Sequence, residues 1–326
     1  MTRTQIVKLL VSLALLAVAL YLLDWPTLIA SFQKVSPIIF ILAVLITCIQ
    51  FVILGLRWYQ LIYKLAPRPF LEHLRLYLYG VFLNSFTPAN VGGDTYRFLA
   101  IKSSQSNVAS LIVTLIRERV LGLLAYFVGF LICASGLKIV GPILPNNARP
   151  LFFYSSGITL AGTLAILLSP YILARLMRVK AVYSQAGLGV LLTKIYEAVH
   201  FSSLTDFVYL MGLSLLGLII WIATIGMVAL DLGLQISWLT LGMIVVLTEL
   251  IRLLPVSIQG VGVREAIYAY LFTLLGQQAE SGFVLGAISY LALSVSLFVS
   301  GLIGWGLLYW PAKNKSSRLN GKGAEG

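Results

Sequence analysis

Apolar residues fall along this chain in long blocks. Six blocks can cross a hydrocarbon core of about 30 Å: residues 6–23, 38–56, 108–131, 151–168, 207–230 and 283–309. Each predicts a transmembrane helix. Two further segments, 74–100 and 239–275, are apolar at their ends but interrupted in the middle by Pro, Gly and polar residues. That interruption predicts two half-helices meeting at a break, not a clean span. The stretch 180–200 interleaves Val182, Leu188, Val190, Leu191, Ile195 and Val199 with Lys180, Gln185, Lys194 and Glu197. It is too polar to span and predicts an amphipathic linker helix on the cytoplasmic surface.

Composition agrees with the pattern. A chain of 326 residues that is 60% hydrophobic and 10% charged has too little polar surface for a water-soluble globule. The first block contains Ala17-Val18-Ala19, a weak likeness to a signal-peptidase site, yet its apolar run continues through Leu23, so an uncleaved helix is expected. Cys48 and Cys133 lie singly in separate blocks, so neither a disulfide nor a metal site nor another cofactor is implied. His73 and His200 fall in expected cytoplasmic connections and are expected to be solvated surface residues.

The net charge is +12, and its placement sets orientation because basic residues mark the cytoplasmic side. With the amino terminus inside, the cytoplasmic connections carry Arg57, Lys64, Arg68, Arg75 and Lys102, then Arg175, Arg178, Lys180 and Lys194. The polar tail at 311–326 adds Lys313, Lys315, Arg318 and Lys322. The outer connections hold only Lys34, Lys138 and Arg149. Both termini are therefore expected in the cytoplasm, provided each interrupted segment re-enters from the side on which it began.

The two interruptions resemble one another. "TPANVGGDTYR" around Pro88 and "LPVSIQGVGVR" around Pro255 both read Pro, four residues, Gly, three residues, Arg. Pro88, Gly93 and Arg97 thus align with Pro255, Gly260 and Arg264 without a gap, and Asn90 pairs with Ser257. Each break is flanked by one span before and one after. The chain therefore divides into two repeats, 1–137 and 150–310, each of three spans and one re-entrant hairpin. Three is odd, so the second repeat must be inserted upside down. The fold class expected is an all-α integral membrane protein: six transmembrane helices and two re-entrant helical hairpins in an inverted-topology repeat. This is an architecture of alternating-access transporters.

Charges within apolar segments sharpen that expectation. Arg117, Glu118 and Arg119 lie about ten residues into the third block, which at 1.5 Å per residue is about 15 Å deep. Glu249 and Arg252 are three apart and share a helical face. Asp94 and Arg97 open the arm after the first break, as Arg264 and Glu265 do after the second. Ionised groups at such depth are costly unless paired or hydrated, and they mark pathways or internal ion pairs. Arg97, Arg117, Arg119, Arg252 and Arg264 outnumber Asp94, Glu118, Glu249 and Glu265, which suggests an anionic cargo group. Helices restarting near Gly92 and Gly93, or Gly260 and Gly262, would present backbone N–H groups to a phosphate there, with Asn84 leading into the first break. Asp94 is expected chiefly as a helix N-cap.

At these residues a family resemblance becomes specific. "NSFTPANVGGDTYR" from Asn84, "RERVLG" from Arg117 and "LPVSIQGVGVRE" from Leu254 resemble the transmembrane family named after lysylphosphatidylglycerol synthase. The likeness extends over roughly residues 8–310. It implies transport of a lipid headgroup across a bacterial inner membrane, as in the flippase half of multiple peptide resistance factors. In two-domain relatives an aminoacyl-transferase follows; here a short polar tail stands there, so no synthase activity is carried over. The partners implied are membrane lipids, with an aminoacylated phosphatidylglycerol, a polyprenyl-phosphate-linked sugar or another anionic lipid as cargo. No nucleic acid is expected, and a homo-oligomer stays open.

Two other classes compete. A membrane-embedded glycosyl or phosphoryl transferase would need a positioned base or metal ligands, and no Asp-x-Asp pair or histidine cluster is present. A transporter of small soluble anions could use the same repeat. The chain contains no Gly-x-x-x-x-Gly-Lys loop, which leaves the cargo's own gradient or an ion gradient as the driving force.

Overall fold

Long helices form wherever the chain is apolar, because a backbone in hydrocarbon must satisfy its own hydrogen bonds. The computed structural model describes residues 25–85, 87, 91–102, 108–140, 144–177, 186–201, 203–253 and 262–320. The first apolar block, residues 6–23, lies outside them, as do Pro88, Asn90, Pro255, Ser257 and Gly260. The described residues form eleven helices and no strand: α1 Trp25–Gln33, α2 Pro37–Ile62, α3 Phe70–Asn84, α4 Gly92–Ile101, α5 Val108–Val140, α6 Arg149–Met177, α7 Ala186–Val199, α8 Leu204–Asp231, α9 Trp238–Arg252, α10 Val263–Leu274 and α11 Ala279–Asn320. Five of them, α2, α5, α6, α8 and α11, are long and apolar enough to cross a membrane. They coincide with the five predicted spans that fall on described residues, and the chain is an all-α membrane protein.

Helix ends follow local chemistry. Pro37 opens α2, where its missing N–H costs nothing. The Ser36 N–H donates to Asp231 Oδ2 at 2.6 Å, which ties the start of α2 to the end of α8 on one face of the molecule. Ser203 and Ser237 cap α8 and α9, accepting from the N–H groups of Asp206 at 3.2 Å and Thr240 at 3.1 Å. The sixth helix runs through Pro170 to Met177, past the predicted end of its span. The nine residues of α1 were not foreseen as a helix; Leu28 and Ser31 are its buried positions.

At the centre α2 and α8 pack together, with Gln50 Nε2 donating to the Gly217 carbonyl at 2.9 Å. The last helix, α11, packs on α2, α3 and α10, while α5 packs on α8, α9 and α6. The largest apolar core gathers Trp221, Ile225, Val245, Phe272 and Leu285 where these helices meet. The interrupted segments are pairs of short helices. Arms α3 and α4 have 15 and 10 residues, and α9 and α10 have 15 and 12. At 1.5 Å per residue none of them crosses a core of about 30 Å alone. Each pair packs on itself. In the first pair the backbones touch: a Cβ on Gly93 would sit 2.0 Å from the Gly80 carbonyl oxygen, so only glycine permits this crossing.

His73 departs from the expectation of a solvated residue. It is fully buried in the first turns of α3, its Nε2 lies 2.9 Å from the Ala66 carbonyl oxygen, and the Tyr59 ring is 5.6 Å away. It ties the loop between α2 and α3 to the helix. His200 is exposed, with its ring stacked on Tyr196.

Candidate functional site

Two ion clusters form, one beside each break. In the first, α4 presents Asp94 and Arg97, α5 presents Glu118 and Arg119, and α2 presents Arg57. Arg97 donates to Glu118 Oε2 at 2.9 Å and to Asp94 Oδ1 at 2.5 Å. Glu118 Oε1 lies 3.5 Å from Arg57 Nη2, and Arg57 Nη1 donates to Ser214 Oγ of α8 at 3.0 Å. Asp94 Oδ2 accepts from Arg119 Nε at 2.9 Å and Nη2 at 2.5 Å. The Arg97 guanidinium stands 4.3 Å from the Trp58 ring centroid and 5.1 Å from that of Tyr77. The cluster thus holds three guanidinium groups and two carboxylates. Arg57, Arg97 and Glu118 are buried, whereas the Arg119 side chain is 51% exposed.

The second cluster is smaller and tighter. Glu249 of α9 accepts from Arg252 Nη2 at 2.5 Å and Nε at 3.0 Å through one oxygen. Its other oxygen accepts from Arg264 Nη2 of α10 at 3.2 Å and from the Trp221 indole N–H at 3.3 Å. Arg264 stands 5.4 Å from the Tyr290 ring and 5.8 Å from the Trp221 ring. It is 1% exposed, and its Nε and Nη1 have no hydrogen-bond partner among the described residues. Here two guanidinium groups face one carboxylate, so in direct ion pairs each cluster has one guanidinium more than it has carboxylates, with the buried Glu265 adjoining Arg264 on α10.

The other sequence candidates are held by helix caps, by an ion-pair bridge and by the linker helix. Gly92 N–H donates to Thr87 Oγ1 at 2.8 Å and Gly93 N–H to Asn84 Oδ1 at 2.7 Å. The α4 start is therefore capped from the preceding loop, and those two N–H groups do not face an open site. Asp94 is an ion-pair bridge and not the N-cap, which is Val91. Glu265 reaches back to the Gly262 N–H at 2.8 Å, completing a cap in which Gly262 takes φ 77°, a region open to glycine. Arg117 turns away from both clusters. It donates to the carbonyls of Glu197, Ala198 and His200 at the end of α7, with Phe201 5.0 Å from its guanidinium. A cation on the last carbonyls of a helix favours its dipole, so Arg117 fastens the linker helix. Arg57, counted as a cytoplasmic charge from sequence, belongs to the first cluster.

The family described as the lysylphosphatidylglycerol synthase TM region matches residues 5–304. The chain belongs to that family. No curated protein and no solved structure matches it. Within the matched region lie both breaks and all residues of both clusters, so the family's defining segment contains the whole candidate site.

Proposed function

We propose that the protein translocates an anionic, phosphate-bearing lipid headgroup across the bilayer, acting as a flippase and not an enzyme. One observation carries this reading: beside each interrupted segment, arginines of its arms and of the packed spanning helices outnumber the carboxylates they pair with directly. Buried surplus charge is retained at a cost, and an anion that docks there relieves it. Guanidinium forks suit phosphate, which they bind through paired N–H donors. In the first cluster Asp94 occupies both Arg97 and Arg119, so an arriving phosphate would take over the exposed Arg119 and displace one arm of that bridge. The carboxylates hold the arginines in place between cargo molecules.

The inverted repeat fits the helix neighbours. α3 lies on α11 of the other half as α9 lies on α5, and α2 lies on α11 as α8 lies on α5, with α2 and α8 paired at the axis. Exchange of the headgroup between the two clusters would then be alternating access around that axis. In proteoliposomes holding a fluorescent anionic phospholipid, Arg97→Ala and Arg264→Ala should each slow translocation at least about tenfold, since a charge-assisted hydrogen bond is worth roughly 1.5–3 kcal/mol. The matching Lys variants should keep part of the rate. Arg264→Ala leaves Glu249 neutralised by Arg252, so the variant should stay folded. A folded Arg264→Ala protein that moves every lipid at the parent's rate would end the proposal for that cluster. Equal flux of a soluble phosphate ester would point to the soluble-anion class instead.

A further inference from the structure

Away from both clusters, a cavity of about 1090 Å³ lies between the last turns of α5, the first turns of α6 and Met243 of α9. Sites for small molecules occupy roughly 300–1,000 Å³, so this one is large enough for an extended ligand. Its walls are mainly apolar, with Leu131, Leu137, Phe152 and Ile158 among them, and no acidic residue lines it. On its α6 side Phe153, Tyr154 and Ile158 are exposed, so the cavity is continuous with the face that meets lipid. Gly157 leaves a gap in the wall: a Cβ there would meet nothing within 4 Å.

Two basic side chains, Lys138 and Arg149, also line this cavity. Of the three basic residues in the expected outer connections, these two converge here, where the distribution of charge in membrane proteins disfavours them. Neither makes an ion pair with a described residue. Lys138 sits in the last turn of α5, where the helix dipole favours a cation, but Arg149 opens α6, where the dipole opposes one. Arg149 Nε donates to the Leu144 carbonyl at 2.9 Å, which fixes its guanidinium at the cavity. Helix formation does not account for a fixed cation at that end; an anion does. A second copy docking through this face by two-fold symmetry would bring like charges together.

We infer that this cavity binds an anionic phospholipid of the outer leaflet, with an acyl chain along the apolar wall and the phosphodiester between Lys138 and Arg149. The site is separate from the two clusters and holds whether or not the chain translocates lipid.

The test is native mass spectrometry of the purified full chain in mild detergent with phosphatidylglycerol or phosphatidylcholine added at equal concentration. Each basic residue near an anionic lipid contributes roughly 1 kcal/mol, so phosphatidylglycerol should be retained about ten- to thirty-fold more strongly. Lys138→Gln with Arg149→Gln should abolish that preference. Gly157→Leu, which narrows the cavity at its wall and leaves both charges, should reduce retention of both lipids. All three substitutions lie at exposed positions, and the variants should melt with the parent in lipid-free detergent. An undiminished preference in the double variant, unchanged retention in Gly157→Leu, or disulfide cross-linking of Gly157→Cys between two copies in membranes would each overturn the assignment.

Discussion

The two breaks share one spacing of Pro, Gly and Arg and hold it by different means. At the second, α10 lies along α11, and the contact is so close that a Cβ on Gly286 would come 3.2 Å from the Glu265 Cα and one on Gly282 2.6 Å from the Tyr268 carbonyl oxygen. At the offset that aligns Arg97 with Arg264, those glycines fall opposite Leu115 and Arg119 of α5. With bulk in place of glycine at these positions, α4 does not lie along α5 in the same way, and the two helices meet through Arg97 with Glu118 and Asp94 with Arg119. The arm after the second break is held to the following span by packing, and the arm after the first by charge. An incoming anion can replace a carboxylate, but nothing replaces a backbone contact unless a helix moves. On the proposed function, the first break is the half that receives the headgroup in this conformation, and the second is the half that is shut.

The sharpest break in this comparison comes from the carboxylates. Glu249 is the one carboxylate that Arg252 and Arg264 pair with among the described residues, so its loss strands both, whereas loss of Glu118 strands Arg57 alone because Arg97 keeps Asp94. Removing one partner of a buried pair costs roughly 3–5 kcal/mol. Glu249→Ala should therefore lower the melting temperature in detergent more than Glu118→Ala does. Equal losses would show that the two clusters are neutralised alike.

Which of these features the sequence made legible depends on how local their causes are. Spans follow from runs of apolar residues, and both breaks follow from Pro and Gly within such runs. The pairing of Glu249 with Arg252 follows from their three-residue spacing on a helix. Two further local signals lie in the chain. Neighbours on a helix point about 100° apart, so Arg117, Glu118 and Arg119 cannot all face one cavity. Gly262 followed three residues later by Glu265 is the spacing of a capping box. Arg57 had no local signal. It follows the second apolar block, before Lys64 and Arg68, and its burial depends on α8 and α5, which come much later in the chain. His73 is covered from nearer in the chain, by the Ala66 carbonyl and the Tyr59 ring, once α3 folds back on the end of α2, and α1 is too short for periodicity to mark.

A second test acts on packing alone. Gly286→Leu would push α10 off α11, and overpacking of this kind costs about 1–3 kcal/mol. The variant should melt earlier than the parent, and Arg264→Cys in that background should become reactive to a thiol reagent, having been 1% exposed. Leu115→Gly on the other side of the molecule should instead relieve the bulk that separates α4 from α5, with a smaller change in stability. If Gly286→Leu melts with the parent, close packing is not what shuts the second break.

The smallest effect on stability is expected where the comparison matters most for transport. The Arg119 side chain is 51% exposed, and an exposed ion pair contributes only about 0–1 kcal/mol. Arg119→Ala should thus leave the melting temperature within a few degrees of the parent's, because Asp94 retains Arg97. Its effect should appear in the concentration of anionic lipid needed for half-maximal translocation, which should rise severalfold while the maximal rate changes little. That split distinguishes a docking contact from a structural one. A cation that only braced α4 against α5 would lower both stability and maximal rate, and would leave the dependence on lipid concentration where it was. Arg119→Lys supplies the internal check: a point charge still attracts phosphate, so the half-maximal concentration should return most of the way toward the parent's even though the forked bond to Asp94 is gone.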